Sequence, residues 1–293
     1  MMLSATARLA LGTVQFGMSY GISNTGGQVP EAQARAILTT ASAAGIGLLD
    51  TAAAYGEAEA VVSRVAAELG RPFRIVSKTP PGASIDTVVA AAQRSAELAG
   101  DKGLDALLVH HPADLAGHAG DRLWRALQDL VDRGAVRRIG LSAGFDDGPR
   151  ALANRFAPAV MQVPVSLFDQ RLVADGTLAE LAARGIEIHA RSIFLQGLLF
   201  AQDDRLAEPI RHIAPALEAR REILRGSGAT PVEAALGYVL ARPEIRHIVI
   251  GVTGPAELRE VLAAAAVAPA DLPWSDIAID DAIVLNPSRW TGS

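Results

Sequence analysis

Four residues carry side chains that together can polarise and protonate a carbonyl group: Asp50, Tyr55, Lys78 and His110. A phenol has an ordinary pKa near 10, too high for efficient proton donation near pH 7. A cation at about 4 Å, at an effective dielectric near 20, favours the phenolate by about 4 kcal/mol before desolvation offsets part of the gain. Lys78 beside Tyr55 would make the phenol a usable acid, and Asp50 would keep the ammonium charged and aimed. His110 would donate a hydrogen bond to a carbonyl oxygen held between itself and Tyr55. Taken singly, each has a plainer reading: a turn-capping aspartate, a packed loop tyrosine, a solvated rim lysine and a loop histidine before His-Pro. Their occurrence together singles them out. So does scarcity, because lysine occurs only at Lys78 and Lys102 among 27 basic residues, and tyrosine only at Tyr20, Tyr55 and Tyr238.

The elements that must position these residues can be read from hydrophobic periodicity. Short apolar runs predict strands over Leu9–Thr13, Ile46–Asp50, Phe73–Lys78, Ala106–His110, Arg137–Ser142, Val160–Val163, Glu187–Arg191 and Ile248–Gly251. Helical periodicity predicts helices over Glu31–Ala44, Glu57–Leu69, Ile85–Ala99, Arg122–Arg133, Gly148–Phe156, Leu178–Ala183, Pro231–Ala241 and Pro255–Ala266, with an extra helix near Ile210–Arg225. Eight βα units can close into a (β/α)8 TIM barrel, an α/β fold with no edge strand. A single domain over residues 1–293 with a C-terminal tail at 268–293 is expected, because no Pro/Gly/Ser linker divides the chain. A doubly wound open sheet is the runner-up, but G-x-G-x-x-G is absent after the first strand. In a barrel, chemistry sits at the C-terminal strand ends, where Asp50, Lys78, His110 and Ser142 fall, with Tyr55 in the loop after Asp50.

Composition narrows the function classes. Half the residues are hydrophobic, a fifth are charged and the net charge is -5 with no basic block, which disfavours disorder and a nucleic-acid surface. Without cysteine there is no disulfide, no thiolate nucleophile and no cysteine-based metal site. The six histidines lack metal-ligand spacing, so no metal is expected. The N-terminus lacks a signal-peptide pattern, and the apolar stretch VLAAAAVA is too short to cross a bilayer, so a cytoplasmic protein without membrane partners is expected.

The chain resembles the aldo-keto reductases, from LALGTVQFG through DTAAAYG, SKTP, LDALLVHHP, VRRIGLS and VMQVPVSLFDQR to IVIGVTGPAEL. That resemblance implies a catalytic tetrad of Asp50, Tyr55, Lys78 and His110, with Tyr55 the proton donor and Pro112 fixing the histidine register. It implies a nicotinamide cofactor extended across the barrel rim and a small carbonyl substrate. Gly12, Thr13 and Val14 match the first cofactor-contacting turn, Asp50 is also counted among the cofactor contacts, and Ser142 and Gln162 match the pair that holds the carboxamide. Arg191 and Ser192 stand where many members have a ring-stacking aromatic followed by serine, and a guanidinium plane could also stack. Ala143 replaces a common asparagine. Gly251, Val252 and Thr253 occupy the segment where a Lys-Ser pair often grips the adenosine 2′-phosphate. Glu257 replaces an arginine of that grip and Val261 an adenine-binding asparagine, while Arg259 could supply a substitute cation. NADPH is placed slightly ahead of NADH.

Short segments after His110 and after residues 195 and 196 suggest a pocket open on two sides, with Phe168, Phe194 and Trp290 as candidate apolar walls. RSIFLQGLLF resembles a branch often encoded beside carbohydrate-biosynthesis genes, which implies a sugar-derived or other polar carbonyl. A monomer or weak homo-oligomer is expected. The alternatives are a slow or inactive regulatory barrel that retains the cofactor, and an aldolase using Lys78 as a Schiff-base amine.

Overall fold

The computed structural model describes residues 3–22, 24–70, 73–100, 103–267 and 272–290; Lys102 and part of the expected tail, 268–271 and 291–293, lie outside them. Eight parallel strands form a closed barrel, each paired with the next and the last with the first. They are β1 Leu9–Gly12, β2 Leu48–Asp50, β3 Arg74–Lys78, β4 Ala106–Val109, β5 Ile139–Ser142, β6 Val160–Pro164, β7 Glu187–Arg191 and β8 Ile245–Gly251. The surrounding helices are α1 Glu31–Ala44, α2 Ala58–Glu68, α3 Ile85–Leu98, α4 Gly117–Asp132, α5 Pro149–Phe156, α6 Thr177–Ala183, α7 Ala214–Ser227, α8 Pro231–Leu240 and α9 Pro255–Ala265. Among the described residues no helix is long and apolar enough to cross a membrane.

Alternation along each strand divides the side chains into two sets. Leu9, Leu11, Leu49, Ile75, Leu107, Val109, Leu141, Met161, Val163, Ile188 and Ala190 join the core shared with the helices. The intervening residues fill the barrel interior in layers. The middle layer is apolar, built from Ala10, Leu48, Val76, Ala106, Leu108 and Val160, with Val249 against it. Below it lies a polar base. Arg74 Nη2 is 3.2 Å from His247 Nε2, His189 Nε2 is 3.0 Å from Glu187 Oε1, and Arg138 donates to both Glu187 oxygens and to Asp105. Glu187, His189 and His247 bring possible metal-ligand atoms within 4.8 Å of one another, but the arginines already bond to this cluster. Burial, then His189 and Arg74, push His247 down to about 3, so it accepts from Arg74 as a neutral ring.

Two expected boundaries shift for physical reasons. The helix expected from Arg122 starts at Gly117, its first turn hidden by the poor helix former glycine. Gly120 is needed there, because a Cβ would collide with the Leu115 backbone. The last strand starts at Ile245 rather than Ile248, because Arg246 and the barrel-interior His247 interrupt its apolar run.

The expected apolar walls separate into three roles. Phe168 is buried in the outer core. Trp290 anchors the tail through Nε1, which is 3.1 Å from the carbonyl oxygens of both Ile283 and Val284. Only Phe194 of the three lines the main cavity. The segment after β7 is not short, since it crosses the barrel mouth in three 3-10 segments before α7. It contributes Phe194, Gln196, Gly197 and Phe200 to the cavity lining.

Candidate active site

The topmost inward residues of β2, β3 and β6 meet above the apolar layer. Lys78 Nζ donates to Asp50 Oδ1 at 2.6 Å and to the Thr51 carbonyl at 3.0 Å, while Gln162 Nε2 donates to Asp50 Oδ2 at 2.7 Å. Asp50 thus bridges a cation and an amide, and both Asp50 and Lys78 are almost wholly buried. Burial alone would push Lys78 down, but the Asp50 charge and the neighbouring Tyr55 phenol hold it above the ordinary lysine value. A Schiff-base role needs a free amine. Here the amine stays charged and occupied, which weighs against the aldolase alternative.

Tyr55 comes from the β2 loop, with Lys78 Nζ 5.1 Å from its ring centroid. The His110 ring meets Tyr55 edge-on, with centroids 5.8 Å apart and planes at 80°. Burial first, then the charge of Lys78 and the proximity of His111, lower His110 to about 3. It is therefore a neutral imidazole over the physiological range and can donate a hydrogen bond through one nitrogen only. Its Nδ1 is buried without a partner, while its backbone N–H donates to Thr79 Oγ1 at 3.2 Å.

Two glycines place Tyr55. A Cβ on Gly17 would collide with the Tyr55 carbonyl and lie 2.7 Å from the Ala58 nitrogen, while one on Gly56 would lie 2.5 Å from the Gly17 carbonyl oxygen. Gly56 also has φ +54°, which favours glycine. The loops after β1 and β2 can interlock only because both positions lack a side chain.

All fifteen expected positions border one cavity of about 900 Å³: the four tetrad candidates, of which Asp50 was also expected to touch the cofactor, and Gly12, Thr13, Val14, Ser142, Gln162, Arg191, Ser192, Gly251, Val252, Thr253 and Glu257. Some are committed to internal contacts. Thr13 spends both its N–H and its hydroxyl on the Asp50 carbonyl, at 2.9 and 3.0 Å. Glu257 accepts from the Thr253 N–H at 2.7 Å and from its hydroxyl at 2.8 Å, closing the turn that opens α9. Beside Gly251, where a Cβ would lie 2.7 Å from the Gln15 amide, Gln15 Oε1 is buried with no hydrogen-bond partner.

The cavity also includes Gln15, Tyr20, Phe145, Gln196 and Glu260, none of which the sequence marks as a site residue. Scarcity was a usable signal for Tyr20. Burial, then the Tyr55 neighbour, raise its phenol above the ordinary value, against opposing influences from Arg191 and Gln196. The β7 loop is strained, with positive φ at Ser192 (58°), Leu195 (45°) and Gln196 (52°). Left-handed backbone at a non-glycine residue costs about 1–3 kcal/mol. The loop is tied to the β1 loop by the Ile22 N–H donating to the Gln196 carbonyl at 3.0 Å.

The model of the Aldo/keto reductase family matches residues 8–279. An aldo-keto reductase of Mycolicibacterium smegmatis is 32% identical over 143 residues, which is 47% of this chain and 50% of that protein. One from Mycolicibacterium vanbaalenii is 36% identical over 120 residues, 40% of this chain and 42% of that protein. The chain therefore aligns with about half the length of these curated relatives. Among solved structures, the holo form of a Bacillus halodurans aldo-keto reductase has a TM-score of 0.73 at 19% identity, covering 89% of this chain and 87% of that one. A Pseudomonas aeruginosa chain assigned as an aldo-keto reductase has a TM-score of 0.65 at 22% identity, covering 88% and 89%. At these identities the solved structures speak for the barrel alone, whereas the family model spans nearly the whole chain: this chain belongs to the aldo/keto reductase family.

Proposed function

We propose that the chain is an NAD(P)H-dependent carbonyl reductase that converts an aldehyde or ketone, of sugar-derived or similarly polar kind, to the alcohol, with Tyr55 as proton donor. The observation that carries this reading is the buried Asp50–Lys78 pair set against Tyr55, with neutral His110 on the other side of the ring. A bound nicotinamide would supply the hydride. The chain's residues suit such a group: the cavity is within the size range of ligand pockets, its rim reaches from Gly12 past Ser142 and Gln162 to Val261, and Gln15 offers an unpartnered buried acceptor.

On this reading His110 donates its remaining N–H to the substrate oxygen, and Tyr55 transfers its proton to that oxygen as charge develops there. Lys78 stabilises the phenolate left behind. Asp50 fixes the Lys78 position, and Gln162 fixes the second oxygen of Asp50 from the far side. Ser142 and the free amide oxygen of Gln162 would hold the nicotinamide carboxamide, while Gly12, Thr13 and Val14 border its ribose side.

The rim after β8 bears on the choice between the two nucleotides. Among the described residues, the lining from Gly251 to Val261 holds Glu257 and Glu260 and no lysine or arginine; Arg259 is not part of it. Two carboxylates oppose a 2′-phosphate and suit a ribose diol. On this ground NADH is proposed ahead of NADPH, although the resemblance places NADPH slightly ahead.

The test is a titration of the purified protein with each nucleotide, followed by tryptophan quenching. Micromolar binding of NADH, weaker binding of NADPH, and a reversed ratio in Glu257→Arg are expected. Failure of both nucleotides to bind below about millimolar would remove the reductase reading, and an unchanged ratio in Glu257→Arg would reject the placement of the 2′-phosphate.

A further inference from the structure

Among the described residues, three lysine or arginine side chains line the cavity. Lys78 is paired with Asp50 at 2.6 Å, and Arg171 with Asp169 at 2.9 Å. Arg191, the last residue of β7, has no carboxylate of the described residues within ion-pair distance. Its one side-chain hydrogen bond runs from Nη1 to Ser192 Oγ at 3.2 Å, and its Nε is buried with no partner at all. The charge of Arg191 is felt by both His110 and Tyr20, so the guanidinium belongs to the catalytic end of the cavity. The groups around it leave that charge standing. Lys78 and Asp50 cancel, and neither the Tyr20 phenol nor the neutral His110 ring supplies an anion. A partly buried cation without a counter-charge forgoes much of the stabilisation that an anion would return.

We propose that Arg191 is a specificity residue that binds an anionic group on the substrate, so that the preferred carbonyl compounds carry a carboxylate or phosphate beside the reacting centre. This rests on the carbonyl-reductase reading and narrows its substrate class. A guanidinium offers both a face and an edge. Stacking uses the face, leaving the Nε and Nη donors on the edge for a bidentate contact with anionic oxygens. The Tyr20 phenol and Gln196 amide, on the two loops joined across the mouth, border the same space and add neutral donors. The same anionic chemistry could come from the cofactor's phosphates, and the test must separate the two sources.

Matched pairs of aldehydes serve as probes: butanal against 4-oxobutanoate, and glyceraldehyde against its 3-phosphate. The wild type is expected to favour the anionic member of at least one pair by roughly ten- to hundredfold in kcat/KM, the scale of a hydrogen-bonded charge. Arg191→Gln should collapse that ratio toward one, and Arg191→Lys should restore part of it. Titration of the enzyme–cofactor complex with 4-hydroxybutanoate and 1-butanol reads the same preference without turnover. Equal treatment of every matched pair by the wild type, in kinetics and in titration, overturns the proposal. So does an Arg191→Gln variant that binds nucleotide more weakly yet keeps the ratio, which would assign the arginine to the cofactor. Loss of nucleotide binding by the wild type is a different failure, because it removes the reductase reading itself.

Discussion

At the residue scale, the proposed reading separates one proton donor from three groups that condition it. Tyr55→Phe removes the donor while leaving Lys78, Asp50 and His110 in place, so kcat should fall about 10²- to 10⁴-fold with NADH affinity changed by no more than a few-fold. Wild-type turnover in this variant, measured in a single-turnover assay, would end the assignment. Lys78→Met deletes the cation and leaves Asp50 buried with only Gln162 opposite one oxygen. The pH profile of the residual rate should move, and an unmoved profile would reduce Lys78 to a scaffold role. The tetrad was legible in the sequence because each member is polar at or just after the end of an apolar run, where a barrel strand opens onto its loop. Tyr20 and Gln196 were not, since they sit in irregular loops whose path no periodicity describes.

At the scale of elements, the strands were readable and their junctions less so. Apolar runs placed all eight strands, yet the start of β8 was lost because His247 is a polar residue facing into the barrel, a placement that no hydrophobic pattern announces. The contact between Gly17 and Gly56 joins positions far apart in the chain and shows only when both loops are built. Gly17→Ala should push the Tyr55 loop away and lower kcat by at least tenfold with the fold retained by circular dichroism; full activity would show that the interlock is dispensable. A contrasting substitution tests the geometry away from the site. Ala157 follows α5 in left-handed conformation at φ 44° and is exposed. Ala157→Gly should therefore raise stability by about 0.5–1 kcal/mol, or a few degrees in Tm, without changing kcat. A decrease in Tm would contradict the strain inferred there.

For the whole molecule, two histidines make stability depend on acid. His110 and His247 both titrate near 3 in the fold and near 6.5 when unfolded. Below pH 6.5 the unfolded chain takes up protons that the folded chain refuses, so this contribution is complete above 6.5 and is lost as pH falls toward 3. Each histidine contributes at most about 1 kcal/mol per pH unit, so together they should steepen the loss of stability between about pH 6 and 4. Urea titrations at several pH values would measure it, and His247→Gln should roughly halve the histidine part of the slope. The same slope in that variant would mean that His247 titrates normally.

The apolar middle layer of the barrel has one more consequence. Ala10, Leu48, Val76, Ala106, Leu108 and Val160, on five strands, present no group that can pass a proton, and only His189, in register with Gln162, stands level with them. On the proposed reading each turnover would consume a proton from Tyr55, and the open route for its replacement is the mouth, past the loops after β1 and β7. The loops that border the substrate would then also set the rate of proton resupply, and a solvent isotope effect on steady-state turnover should respond to changes at the rim and not to changes at the base.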